Sequence, residues 1–145
     1  MRLRVAALLL VCAFTACAPS QEGRSDGAPT TVMYPEGAPR IDSDYRSLTD
    51  PIGRRRSQVH QGIDFIGEAG MPIIAAADGV VLEATVERCW GPTIAVDHGV
   101  DIDGRPLIAL YGHLGPMLVK KGDQVARGQQ IGALGDNENA FNCIY

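Results

Sequence analysis

The feature that most constrains the fold is a series of short apolar runs along residues 45–145, which are separated by turn signals and show no sustained helical periodicity. Turn dipeptides such as Asp78-Gly79 and Arg127-Gly128 lie between the runs. The runs have the length and composition of strands: residues 63–66, 72–76, 79–86, 93–97 and 107–111, and the segments around Val119, Val125 and Ile131. Many short strands at close spacing predict an antiparallel all-β domain.

The first 17 residues form a different kind of segment. Two early arginines are followed by an unbroken apolar run over residues 5–14 and then by small residues, which is the pattern of an export signal. The run is shorter than the roughly 20 residues that a spanning helix needs. Its end, F-T-A-C, resembles a bacterial lipobox and implies lipid attachment at Cys17; ordinary cleavage after Ala18 is the alternative. We therefore expect an exported lipoprotein that faces the periplasm or cell wall.

Residues 18–44 connect this signal to the strands. They are rich in Pro, Gly, Ser and acidic residues and lack apolar periodicity, which predicts a flexible, disordered linker. The predicted organisation is a signal peptide at 1–17, a linker at 18–44 and one folded domain at 45–145.

Charge and cysteine content limit the partners and the compartment. Removing the leader takes two of the 13 Lys+Arg and none of the 17 Asp+Glu, so 11 bases face 17 acids and the exported part carries about −6. Nucleic acid is therefore excluded as a partner, and the lipid is the only expected membrane contact. Cys89 and Cys143 would both reach an oxidising compartment, which predicts a disulfide between them.

A candidate metal site lies at residues 59–66, which read V-H-Q-G-I-D-F-I. His60 and Asp64 are four residues apart, and both are types that bind zinc. On an extended strand they would be roughly 13 Å apart, too far to share one ion. Gly62 disfavours a helix and permits a bend, which would fold His60 back over Asp64. A surface hydrogen-bonded pair is the simpler alternative.

The strand region as a whole resembles the lysostaphin-like, or LytM-type, zinc endopeptidases that cut peptide cross-bridges of bacterial peptidoglycan. The resemblance covers about ninety residues and rests on several motifs in order: L-T-D-P-I-G-R-R-R, H-Q-G-I-D-F, G-M-P-I-I-A-A-A-D-G-V-V, T-I-A-V-D-H-G, Y-G-H-L and V-K-K-G-D-Q-V-A-R-G-Q-Q-I-G-A-L-G. It implies the LytM fold of antiparallel sheets, which is similar to the barrel-sandwich fold. Lipoyl and biotinyl carriers share that fold type, but Lys120-Lys121 lacks the surroundings of their modified lysine.

The resemblance also implies roles for individual residues. His60 and Asp64 would be two of three protein ligands of one zinc ion per complete domain. His113, in Y-G-H-L, would be a catalytic histidine that helps to deprotonate the attacking water. His98, in D-H-G, would not be a ligand and is expected to be a turn residue before Gly99. Tyr111 could line the site or simply pack.

One element of the family pattern is missing. The family's final His-x-His, which carries a catalytic histidine and the third ligand, has no counterpart here, since no histidine follows His113. The expectations are a fragment or frameshifted product, a degenerate domain, or replacement of the ligand by Cys143, Asp136 or Glu138, in that order. The predicted function is zinc-dependent hydrolysis of peptidoglycan cross-bridges; the alternative is a non-catalytic LytM-type factor that binds peptidoglycan or activates another wall hydrolase.

Overall fold

A computed structural model of the chain describes residues 28–34 and 38–136. These residues form nine strands and no helix, so the expectation of an all-β domain is confirmed. The strands are β1 (Ile41–Ser43), β2 (Asp64–Phe65), β3 (Pro72–Ile74), β4 (Gly79–Glu87), β5 (Gly91–Val100), β6 (Pro106–Tyr111), β7 (Leu114–Met117), β8 (Gln124–Val125) and β9 (Gln130–Leu134).

The strands are arranged in three antiparallel sheets. A four-stranded sheet has the order β6-β5-β4-β8, a three-stranded sheet has the order β3-β9-β7, and β1 pairs with β2. The long β4–β5 pair is the centre of the four-stranded sheet, because the outer strands β6 and β8 pair with β5 and β4, respectively.

The hydrophobic core is shared by the two larger sheets. Val81, Ile94 and Val96 come from the four-stranded sheet, and Leu114 and Ile131 come from the three-stranded sheet. All five are at most 3% exposed. A Cβ built on Gly132 of β9 would lie 3.8 Å from Cδ1 of Ile94, which shows how closely the sheets approach. Burial of these apolar side chains holds the sheets together.

Most predicted strands are present in the structure, but one of them lies a few residues before its predicted position. The strand expected around Val119 is β7, which ends at Met117. Its sequence L-G-P-M lacks a strand signal because Pro116 cannot donate a ladder hydrogen bond, but β7 is at the edge of its sheet, where proline is tolerated. Val119 still packs against the core from the following segment.

The folded unit also includes residues from the range predicted as a linker. Strand β1 lies at its end, Thr30 N donates to Val100 O at 2.8 Å, and Met33 N donates to Ala76 O at 2.8 Å. These contacts use the backbone, so they leave no apolar pattern in the sequence. The predicted export signal, the predicted lipidation site Cys17 and residues 18–27 lie outside the described residues. Among the residues described, no helix is long and apolar enough to cross a membrane.

Candidate metal centre

His60 and Asp64 are brought together by the bend that their sequence predicts. Strand β2 begins at Asp64, and the three preceding residues turn the chain so that His60 Nε2 lies 3.2 Å from Asp64 Oδ1. Gly62 is at the centre of this bend, and a Cβ there would be only 3.8 Å from His60 Nε2. The histidine ring therefore folds back over the glycine towards the carboxylate.

The surroundings of the His60 ring indicate which nitrogen carries its proton. Nδ1 lies 3.0 Å from the carbonyl oxygen of Asp44 and 3.2 Å from Oγ of Ser43. Because a carbonyl oxygen only accepts hydrogen bonds, Nδ1 is the protonated nitrogen. The Nε2 lone pair of a neutral ring then faces an Asp64 oxygen, and two acceptors in contact require a proton or a cation between them. This arrangement of an imidazole, its carbonyl partner and a carboxylate fits a zinc site.

Arg56 completes the surroundings of Asp64. Its Nη2 lies 3.4 Å from Asp64 Oδ2 and 3.2 Å from Ser43 Oγ, and its Nε donates to the carbonyl oxygen of Thr49 at 3.1 Å. The two carboxylate oxygens thus have separate partners, since Oδ1 faces His60 and Oδ2 faces the guanidinium. The Asp64 side chain is 43% exposed, so the pair is open to solvent on one side.

The described residues bring together two side chains of types that bind metal, His60 and Asp64. Across residues 28–34 and 38–136, no three or more His, Cys, Asp or Glu side chains are grouped so that they could hold a metal ion. Asp136 is not grouped with His60 and Asp64 among those residues, and its role as a replacement ligand stays a prediction. Glu138 and Cys143, the other replacements considered, lie outside the described residues. A complete zinc site would need a further group beyond His60 and Asp64.

His113 is held by its backbone between β6 and β7. Its N donates to Trp90 O at 2.8 Å, its O accepts from Gly135 N at 2.9 Å, and its φ is 58°. Left-handed backbone is uncommon for a residue with a side chain, so these contacts constrain the turn. The residue is exposed, and it does not join His60 and Asp64 in a metal-binding group of the described residues. Its catalytic role stays a prediction.

His98 is not the turn residue that its D-H-G context predicts. It lies within β5 and is 3% exposed. Its Nδ1 donates to Asp78 O at 2.9 Å, its Nε2 lies 3.2 Å from the Tyr111 hydroxyl, and that hydroxyl accepts from Ala76 N at 2.9 Å. Since Nδ1 faces a carbonyl, Tyr111 donates to Nε2. Burial raises the pKa of Tyr111 above its ordinary value. Both residues have a structural role in this network.

Cys89 is disulfide-bonded in the turn between β4 and β5. The predicted partner, Cys143, lies outside the described residues, so the pairing stays a prediction.

Two residues of the site were not found from the sequence. Arg56 belongs to the run R-R-R at residues 54–56, which has the composition of a solvated turn, and Ser43 lies in the range predicted as a linker. Arg56 could have been noticed from its position four residues before His60. Ser43 carries no signal, because only the pairing of β1 with β2 brings it to the histidine.

Comparisons with known proteins identify relatives of the folded region. Residues 58–143 match the model of Peptidase family M23. Peptidoglycan DD-endopeptidase ShyC of Vibrio cholerae is 33% identical over 103 residues, which cover 66% of this chain and 23% of that protein. Murein hydrolase activator NlpD of Escherichia coli is 36% identical over 77 residues, which cover 52% and 19%.

A comparison with solved structures also finds a peptidase as a relative. The crystal structure of a zinc containing peptidase from Vibrio cholerae superposes with a TM-score of 0.56 and 30% identity, and the match covers 70% of this chain and 30% of that one. The chain spans about a quarter of the length of the first curated relatives that it matches.

Proposed function

The chain belongs to peptidase family M23, and on that premise we propose that its His60–Asp64 pair is part of a zinc site for hydrolysing peptide bonds in peptidoglycan cross-bridges. The observation that carries the proposal is the convergence of His60 Nε2 on Asp64 Oδ1 at 3.2 Å, with Nδ1 committed to a carbonyl. The similarity to a peptidoglycan DD-endopeptidase supports this substrate class.

The roles of the residues follow from their contacts. His60 would bind zinc through Nε2, because its other nitrogen is held by Asp44 O at 3.0 Å. Asp64 would bind through Oδ1, because Oδ2 faces Arg56. When bound, zinc lowers the pKa of a water ligand to about 7 and polarises a peptide carbonyl. The exposed imidazole of His113 is the proposed proton acceptor, since neutral histidine has suitable basicity near neutral pH.

The proposed location is the cell envelope. An exported lipoprotein anchored through Cys17 would hold the domain near the peptidoglycan. The similarity to the lipoprotein NlpD/LppB homolog of Pseudomonas aeruginosa supports this proposal; the two are 34% identical over 87 residues, which cover 58% of this chain and 28% of that protein.

A second candidate function is non-catalytic activation of another wall hydrolase. Two observations favour it: the absence of a three-ligand group among the described residues and the similarity to a murein hydrolase activator. In this case the domain would bind peptidoglycan or a hydrolase, and the His60–Asp64 pair would have no catalytic role.

Digestion of purified sacculi separates the two functions. The proposed enzyme releases new amino termini in the presence of zinc, and the His60→Ala and Asp64→Asn variants do not. Asp103→Asn, a change of an exposed acid in the turn between β5 and β6, is the matched control and keeps full activity. The activator alternative predicts no release by the chain alone and faster release when a wall hydrolase is added. Equal release by wild type and His60→Ala would contradict the zinc mechanism.

A further inference from the structure

We propose that Arg56 and Ser43 are positioning residues that hold the His60–Asp64 pair in the geometry that binds metal. This inference rests on the proposed zinc site. It assigns a role to Ser43 of β1 and to Arg56 of the following loop. Both precede the 58–143 region that matches the family model, and Arg56 ends the motif L-T-D-P-I-G-R-R-R.

The four side chains form a closed ring of contacts. His60 Nε2 lies 3.2 Å from Asp64 Oδ1, and Asp64 Oδ2 lies 3.4 Å from Arg56 Nη2. The ring continues from Arg56 Nη2 to Ser43 Oγ at 3.2 Å and returns from Ser43 Oγ to His60 Nδ1 at 3.2 Å. Asp64 therefore has its non-coordinating oxygen held by Arg56, and the Nδ1–H of His60, which donates to Asp44 O at 3.0 Å, has Ser43 Oγ as a second acceptor at 3.2 Å. Such outer partners fix the orientation of metal ligands.

Ser43 is the member of this ring that is buried and held in a strand. It is 5% exposed, and it lies at the end of β1 opposite Asp64 in the β1–β2 pairing. The same pairing therefore sets both the backbone of the metal ligand and the hydroxyl that contacts the other ligand's ring.

Arg56 is itself anchored before it reaches Asp64. Its backbone N donates to Leu48 O at 2.9 Å, and its Nε donates to Thr49 O at 3.1 Å. Its side chain is 25% exposed, which is far less than the 77% of Arg54 in the same run. A long side chain held at several points loses little further freedom when it binds the carboxylate.

The guanidinium has two opposing effects on a metal at this site. Its positive charge repels the metal, while its contact with Oδ2 stops the carboxylate from rotating away. The first effect is weakened because solvent screens charges here, where Asp64 is 43% exposed. The second effect is lost completely when the side chain is removed. We therefore expect the orienting effect to dominate, so that removing Arg56 weakens metal binding.

Zinc and cobalt binding to the full chain tests this inference without any activity measurement. The variants are Arg56→Ala, Arg56→Lys and Ser43→Ala. Arg55→Ala is the matched control, since it removes the exposed arginine next to Arg56. Zinc affinity is measured by competition with a chromophoric chelator, and the absorption bands of bound cobalt report the coordination geometry. Thermal unfolding of each metal-free variant shows whether the fold is kept.

Loss of an outer partner typically lowers metal affinity about 10–100-fold. We expect a loss of this size in Arg56→Ala and Ser43→Ala, with altered cobalt bands, partial recovery in Arg56→Lys and no change in Arg55→Ala. Wild-type affinity in Arg56→Ala and Ser43→Ala would overturn the inference and leave the zinc site intact. Tighter binding in Arg56→Ala would overturn it too, because repulsion would then dominate. A folded wild-type chain that binds no zinc would overturn the proposed site and the inference together.

Discussion

The Tyr111→Phe substitution tests the buried network around His98. In the wild type, the hydroxyl accepts from Ala76 N at 2.9 Å and contacts His98 Nε2 at 3.2 Å. Removing it leaves two groups without their partner while the shape of the ring is kept. An orphaned buried polar group costs about 1–3 kcal/mol. His98 is 3% exposed and would bear the full cost, whereas Ala76 is half-buried and can gain a water.

The expected loss in the free energy of unfolding is therefore about 2–3 kcal/mol near neutral pH. Urea unfolding followed by far-ultraviolet circular dichroism measures it, with the disulfide kept oxidised in both proteins. An unchanged midpoint would refute the hydrogen-bond assignment of the network.

The same pair of proteins tests the pKa of Tyr111. Burial raises this pKa, so the folded state favours the protonated phenol. The resulting stability is complete below about pH 10, the ordinary tyrosine value, and is lost as the pH rises through the raised pKa of the folded protein. Since phenylalanine does not titrate, the difference in stability between wild type and Tyr111→Phe should shrink above about pH 10. A constant difference up to pH values where the folded Tyr111 ionises would contradict the burial argument.

Three further predictions concern the core and the disulfide. Gly79→Ala should lower the free energy of unfolding by about 1–3 kcal/mol, because the added methyl would lie 2.5 Å from the backbone oxygen of Asp97; urea unfolding at the wild-type midpoint would contradict this. Ile94→Ala should lower the free energy of unfolding by about 2–5 kcal/mol in the same assay, because Ile94 is 0% exposed at the junction of the two sheets. A loss below about 0.5 kcal/mol, which is typical of surface substitutions, would place Ile94 outside the core. Peptide mapping without reduction should link Cys89 to Cys143, and a fragment that joins Cys89 to another cysteine would refute the pairing.

The sequence predicted the class of fold because its strands are marked by their own composition and by the turns between them. Strands β4 to β6 combine β-branched residues with flanking glycines, and their predicted positions agree with the structure to within a few residues. Strand β7 was displaced because L-G-P-M has no strand signal, and only its pairing with β9 defines it. Strand β1 was missed because its three residues are held by backbone pairing with β2 rather than by an apolar pattern.

The site was predictable where its residues are close in the sequence. Three residues separate His60 from Asp64, and a glycine at the bend was enough to infer their contact. The contacts of Ser43 with His60 and Arg56 span 17 and 13 residues, and no local pattern encodes them. His98 was placed in a turn because the following glycine resembles a turn signal, whereas β5 continues through it to Val100.

The most direct test of the account is the zinc content of the folded chain after purification without chelators, measured by elemental analysis beside the His60→Ala and Asp64→Ala variants. The account predicts that a site completed by a further group beyond His60 and Asp64 holds close to one zinc ion per wild-type chain, and that both variants hold almost none, with all three proteins folded. Equal zinc content in the three proteins, or none in a folded wild-type chain, would contradict the assignment of His60 and Asp64 as metal ligands.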